Sequence, residues 1–335
     1  MKTRILGRTG LEVSAVGFGG IPIQGLPAAD AEAVVREALD RGITFFDSAR
    51  GYTDSEAKLG RALAGAGDRV VVATKTMART DAAMSAEIDT SLRNLGRETI
   101  DLYQMHNVAT EDALAQVLGP GGAYEAMDRA RRDGKIRFIG VTGHSREMLL
   151  RAIATDLFDT VQHPYNPLEK EWRADVVPAA RAKGLGVIGM KPAAGGALGD
   201  VPAALRFALH DGVDVAIPGM DAIAQVAENA AVGAALDPPS PADLASFAEE
   251  ARRWGGRFCH RCGYCKPCPN GLDVPFLLLI EAYYTRYDLR GWALERLAGL
   301  EKKYADCQAC GECAARCPYG LEIPELLAAA SARVV

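Results

Sequence analysis

The sequence has no excess of one charge, no long apolar run and, up to residue 258, no cysteine. With 38 basic and 43 acidic side chains, a net charge of -5, it offers no broad attraction to nucleic acid or anionic lipid. The longest stretch free of polar residues and glycine, Val274 to Ile280, is far short of a membrane span. Met1 to Arg8 carries charge with no apolar core behind it, so no secretory signal is read there. The expectation is a cytoplasmic protein acting on a small molecule, without membrane or nucleic-acid partners. Cysteines in that compartment stay reduced, so regular cysteine spacing points to metal rather than to disulfides.

Short β-branched runs alternate with Ala/Leu/Arg-rich stretches up to about residue 235, which is the pattern of βα units around a parallel sheet. Eight strands are expected, at 15–18, 43–47, 70–74, 100–105, 138–142, 160–163, 186–190 and 215–218. Helices are expected between them, among others at 31–41, 55–64, 81–95, 124–133, 174–183 and 202–210. Eight units suit a closed (β/α)8 TIM barrel, which typically takes about 250 residues, although a doubly wound sheet reads similarly at this level. Pro238, Pro239 and Pro241 then break the texture, and all eight cysteines follow. The division expected is a barrel over 1–237 and a small, mainly helical ferredoxin-like domain over 238–335.

That second region repeats itself. Cys262-Gly-Tyr-Cys-Lys-Pro-Cys-Pro-Asn-Gly-Leu-Asp-Val-Pro275 matches Cys310-Gly-Glu-Cys-Ala-Ala-Arg-Cys-Pro-Tyr-Gly-Leu-Glu-Ile-Pro324. The quartets are Cys259, Cys262, Cys265 and Cys268, then Cys307, Cys310, Cys313 and Cys317, each followed by proline. Two residues between successive cysteines let one tight loop aim three thiolates at three corners of a cubane, and the second run has the bacterial ferredoxin spacing. Two 4Fe-4S clusters are expected. In two-cluster ferredoxins the last cysteine serves the other cluster, which would join Cys317 to Cys259, Cys262 and Cys265, and Cys268 to Cys307, Cys310 and Cys313. Zinc also takes four thiolates, but usually from two separated pairs. The first quartet is one residue shorter between its last two cysteines, so its ligand assignment is the looser one.

In the first region, Asp47 closes the second expected strand and Tyr52 lies in its loop, while Lys75 closes the third strand and His106 the fourth. Four such residues at consecutive strand ends would converge at the mouth where barrel enzymes do their chemistry, and a doubly wound sheet predicts no such cluster. Each has a plainer reading when taken alone. Together they resemble the aldo-keto reductase family, along with the hairpin-like Leu6-Gly-Arg-Thr-Gly-Leu-Glu-Val-Ser14 and Phe45-Phe-Asp-Ser-Ala-Arg-Gly-Tyr52. Ser91-Leu-Arg-Asn-Leu-Gly96, Asp101-Leu-Tyr-Gln-Met-His106 and Gly134-Lys-Ile-Arg-Phe-Ile-Gly140 are similar to further family segments. The cysteine module resembles that of the family's iron-sulfur branch, where Gly140-Val-Thr-Gly-His-Ser145 also fits.

The resemblance implies that Tyr52 donates a proton to a carbonyl oxygen with Lys75 as the nearby cation, Asp47 holds Lys75, and His106 places the carbonyl. For NAD(P)H it implies contacts from Gly20, Thr142, Gln162, Asn166, Met190, Lys191, Gly219, Gln225, Glu228 and Asn229, with the glycines of 191–198 near the pyrophosphate. Met190 and Gly143 stand where many members have an aromatic and an asparagine. Asp221 and Ala222 replace residues that grip a 2'-phosphate, and a carboxylate there favours a ribose hydroxyl. The expected function is hydride transfer between NAD(P)H and a small carbonyl or alcohol substrate. The alternative is a one-electron enzyme coupled to ferredoxin or another carrier. No flavin motif bridges two-electron and one-electron chemistry.

Overall fold

The computed structural model describes residues 1–210 and 212–334. Two strands, β1 (Thr3–Ile5) and β2 (Glu12–Ser14), form an antiparallel hairpin with Thr3 opposite Ser14. Eight more are parallel, in the order of the chain: β3 (Phe18–Gly19), β4 (Phe45–Asp47), β5 (Val71–Thr76), β6 (Ile100–Met105), β7 (Ile136–Thr142), β8 (Thr160–Pro164), β9 (Gly186–Met190) and β10 (Val215–Ile217). Parallel bridges from Val16 to Ala216 and from Gly19 to Gly219 join the last strand to the first. The result is a (β/α)8 barrel.

The burial pattern explains why these runs become strands. Every residue of β4, β5 and β6 is buried, because helices cover the outer face and side chains fill the inner one. Phe45, Val71, Ala73, Leu102, Ile188, Val215 and Ile217 pack inside the barrel with Leu6, Leu11 and Val13 of the hairpin. The hairpin therefore plugs one end. It comes so close to β9 that a Cβ on Gly7, which sits at φ +49, would lie 2.2 Å from the nitrogen of Gly186.

The expected first strand, 15–18, lies slightly early. Ala15 to Gly17 exchange backbone hydrogen bonds with Ala216 at the closing seam, so ladder pairing to β4 begins only at Phe18. The helix Asp81–Leu95 has the expected limits, with Thr80 accepting from the amide of Ala83 and Gly96 ending it at φ +61. Helices Glu111–Leu118, Arg146–Ala154 and Ile223–Ala235 add to the expected ones. The first of these buries only Leu114 and Val117, too little periodicity to read from sequence.

The chain divides into two compact units: residues 1–194 with 200–240, and residues 195–199 with Pro241 onward. The division expected from sequence keeps 195–199 in the barrel domain and cuts the chain at 237. In the structure this short segment packs within the second unit, where Trp254 donates to the carbonyl of Ala197 at 3.0 Å. Gly195 and Gly196, at φ +64 and +78, lie so close to Tyr287 and Arg286 that a Cβ would meet them at 2.8 and 3.2 Å. Remoteness along the chain hid this packing.

The second unit is helical: Pro241–Trp254, Val274–Thr285, Arg290–Ala298, Glu312–Ala315 and Ile323–Val334. Its duplication is visible in the backbone. Arg261 and Ala309 share a left-handed conformation, at φ +58 and +51, as do Gly263 and Gly311 at +86 and +81, and Gly271 and Gly320 at +74 and +62. A small core of Leu272, Val274, Leu277, Ile280, Leu297, Tyr304, Ile323 and Leu327 holds the helices. Tyr304 donates its hydroxyl to the carbonyl of Leu277 at 2.8 Å. Among the described residues no helix is long and apolar enough to cross a membrane.

Candidate active site and cluster ligands

The ends of β4, β5 and β6 bring Asp47, Lys75 and His106 side by side, because Asp47 is opposite Ala73 and Lys75 opposite Gln104 in the ladder. The Lys75 ammonium, almost fully buried, donates to Asp47 Oδ1 at 2.5 Å and to the carbonyl of Ser48 at 2.8 Å. The loop after β4 folds back through the bonds from the Arg50 amide to the Lys75 carbonyl and from the Tyr52 amide to the Ala49 carbonyl. Tyr52 is thereby set with its ring centroid 5.2 Å from Lys75 Nζ. The His106 ring stands edge-on to it at 6.1 Å and 88°. All four residues expected from the sequence are thus brought together, with Tyr52 and His106 reaching solvent and the ion pair beneath.

Two supporting residues escaped the sequence reading. Gln104, fully buried on β6, donates to Asp47 Oδ2 at 3.3 Å. Burial pushes the Asp47 carboxyl up from its ordinary value, while Lys75 and then the Gln104 amide pull it back. Glu56, also buried, takes hydrogen bonds from Thr74 and Ser91 on Oε1 and from Arg50 and Asn94 on Oε2. Arg50 reaches Glu87 as well, at 2.6 Å. This network anchors the loop that carries Tyr52. A Glu in the first turn of a helix looks like an ordinary exposed end-charge, so only its four donors reveal the role.

In the second unit none of the eight cysteines forms a disulfide. Burial pushes the Cys259 thiol up to about 11, with Cys262 and Cys317 as charged neighbours once ionised. Burial also raises Cys265 to about 12, next to Cys259 and Cys262, and raises Cys313, next to Cys307 and Cys310. Each loop thus gathers its own first three cysteines, while Cys317 and Cys313 of the second copy approach Cys259 and Cys265 of the first. Among the described residues no three His, Cys, Asp or Glu side chains converge to hold a single metal ion. A cubane needs no such point, since each thiolate goes to a different iron.

A sequence model of the aldo/keto reductase family matches residues 15–200, more than half the chain. The chain belongs to the aldo/keto reductase family. A model of the 4Fe-4S dicluster domain matches residues 258–322. L-galactose dehydrogenase of Arabidopsis thaliana is 34% identical over 217 residues, 59% of this chain and 67% of that one. The aldo-keto reductase AKR11C1 of Bacillus halodurans, in its holo form, superposes with TM-score 0.66 over 75% of this chain and 96% of that one. At 23% identity it speaks for the fold alone. An aldo-keto reductase of Klebsiella pneumoniae solved with NADPH superposes with TM-score 0.62 at 26% identity, covering 74% of this chain and 95% of that one.

Within this aldo/keto reductase barrel the residues expected to touch the nicotinamide cofactor have mixed surroundings. Gln162, opposite Thr142 on β7, is buried with its Oε1 lacking any hydrogen-bond partner, which suits an amide donor such as a carboxamide. Met190 ends β9 beside Ile217, half-buried. Thr142 Oγ1 instead accepts from the amide of Asn107 at 2.9 Å. Asn166 spends its side chain locally, on Glu169, Leu168 and the carbonyl of Lys191. Lys191 itself is at φ +55. Gly20 and Gly219 provide close packing, since a Cβ would meet Ser55 Oγ at 2.8 Å and Pro22 Cγ at 2.7 Å. Gln225 caps the amide of Asp221 at 2.8 Å, with Glu228 exposed and Asn229 buried on the same helix. The orphaned Gln162 oxygen is the observation that fits the cofactor.

Proposed function

We propose that this aldo/keto reductase transfers hydride between NAD(P)H and a small carbonyl or alcohol substrate, and that its C-terminal unit holds two 4Fe-4S clusters. The observation that carries the reading is the buried Lys75–Asp47 pair beneath the Tyr52 ring with His106 edge-on beside it. A free phenol has a pKa near 10, so it delivers a proton to a carbonyl at neutral pH only where the charge left on its oxygen is stabilised. Lys75 supplies that positive charge, and Asp47 keeps it fixed. His106 orients the carbonyl oxygen toward Tyr52. Nicotinamide, when bound, supplies the hydride, with Gln162 to hold its amide. Asp221 at the start of the helix Ile223–Ala235 supports a ribose hydroxyl there and therefore NADH.

The neighbours of Cys259 support Cys259, Cys262, Cys265 and Cys317 on one cluster, and the crossing pattern of two-cluster ferredoxins then assigns Cys268 to Cys307, Cys310 and Cys313 on the other. Clusters, when assembled, cross-link the two copies and accept single electrons. The test is anaerobic turnover with nicotinamide deuterated at C4. Deuterium in the alcohol carbon supports direct transfer. Product free of deuterium, formed with reduced ferredoxin as sole reductant, overturns it in favour of one-electron delivery.

A further inference from the structure

Three cations stand on or just beyond β4 and β5, near the candidate active site. Lys75 is neutralised by Asp47, and Arg50 by Glu56 and Glu87. The third, Arg79, lies in the short loop between β5 and the helix Asp81–Leu95 and has no carboxylate within ion-pair distance among the described residues. The nearby Asp81 is paired with Arg129 at 2.9 Å. Arg79 is half-buried. Its Nη2 donates to the carbonyls of His106 at 2.6 Å and Asn107 at 3.0 Å, and its Nη1 reaches only the Ala78 carbonyl, at 3.4 Å. A guanidinium has five N–H groups, so two remain for another acceptor.

Those bonds fix the guanidinium against the backbone of the residue whose ring stands beside Tyr52. Carbonyl dipoles satisfy donors but do not neutralise a charge, and removing an unpaired charge from water is costly. Burial accordingly lowers the Arg79 pKa with no neighbouring charge of either sign contributing. Met77, in the same loop, is a large exposed apolar side chain. A fixed, uncompensated cation beside an apolar surface and a carbonyl-orienting histidine suits a short acid with a carbonyl at the other end.

We propose that Arg79 is the anion-recognising residue of the substrate site, so that the substrate is a small aldehyde or ketone, or the matching alcohol, bearing a carboxylate. The inference rests on the carbonyl-reducing reading of Tyr52. Arginine is suited to this task because its planar donors match a carboxylate and it stays charged. In a protein of net charge -5, such a residue also draws an anionic substrate toward the buried, already paired Lys75.

The test compares succinic semialdehyde with butanal, which differ by the carboxylate, in the cluster-loaded protein. Wild type should favour the acid, and Arg79→Met should lower the ratio of the two kcat/KM values by roughly 10²-fold, with Arg79→Lys in between. If Arg79 only clamps the loop, both substrates lose rate together and the ratio stays put, which overturns the proposal. Calorimetric titration with succinate, succinamide and inorganic phosphate separates this from failure of the reaction itself. Succinate binding that survives in Tyr52→Phe and disappears in Arg79→Met supports the anion site even if neither aldehyde is reduced. Aldehyde reduction without preference, and succinate binding indifferent to Arg79, sinks the site while leaving the reductase reading intact. Binding of phosphate but not succinate overturns the carboxylate assignment.

Discussion

Gln104 donates to the one oxygen of the Asp47 carboxylate that Lys75 leaves open, so the buried acid is held from both sides. Replacing Gln104 with Leu removes the amide that pulls Asp47 down while keeping the site dry, so its pKa should rise further. The acid limb of the kcat profile should therefore move to higher pH, because the charged carboxylate has lost a hydrogen bond that favoured it. Gln104→Glu or Gln104→Asn would separate charge and reach from simple packing. An unmoved limb in Gln104→Leu would show that the amide does nothing for Asp47.

Tyr52→Phe keeps the ring next to Lys75 and His106 and removes only the acidic proton. Carbonyl reduction should fall by roughly 10² to 10⁴ while the dissociation constant of the nicotinamide cofactor is little changed. Stopped-flow turnover alongside fluorescence titration checks both parts.

Glu56 receives four hydrogen bonds in a buried site, so Glu56→Leu takes an acceptor from Arg50, Thr74, Ser91 and Asn94 together, leaving Arg50 with Glu87 and Ser91 with Tyr103. Stability should drop by about 3 to 5 kcal/mol, the usual effect of breaking a buried pair by removing one partner. Urea unfolding measures it, and a loss under about 1 kcal/mol would show that water replaces the carboxylate easily.

His163 sits buried on β8, stacked on Trp172 at 4.7 Å, with its Nε2 lacking a partner. Burial lowers its pKa from 6.5 to about 4. Between those values the unfolded chain takes up a proton that the folded one refuses, so stability falls as pH falls, by about 3 kcal/mol across the window. His163→Phe should flatten that dependence when urea midpoints are compared at pH 7 and pH 4.5. An unchanged slope would assign the acid sensitivity to other groups.

The cysteine quartets predict about eight irons and eight labile sulfides per chain in protein purified without oxygen. Cys262→Ser or Cys310→Ser should remove iron and loosen the second unit, whose own core is small. Stoichiometric zinc with no labile sulfide would refute the assignment.

Much of this protein follows from local chemistry. The alternation of β-branched and helical runs, the strand-end positions of Asp47, Lys75 and His106, and the repeated cysteine spacing are all short-range patterns. Each element therefore announces itself before it is packed. Residues whose role depends on a distant partner are different. Glu56 and Gln104 read as ordinary polar positions until burial and their donors are seen. Asn166 and Thr142 match cofactor positions in sequence, yet their side chains are engaged by Glu169, Lys191 and the Asn107 amide.

The sequence by itself determined the barrel, the identity of its four central residues and the two cysteine loops, because periodicity, strand ends and spacing are set within a few residues of chain. Only the tertiary structure decided that Gly195 to Gly199 pack with the second unit, that Gln104 completes the Asp47 site, and that Arg79 keeps its charge unpaired. Those outcomes depend on burial and on partners far apart in sequence, and a charge or an amide takes its meaning from what stands within a hydrogen bond of it.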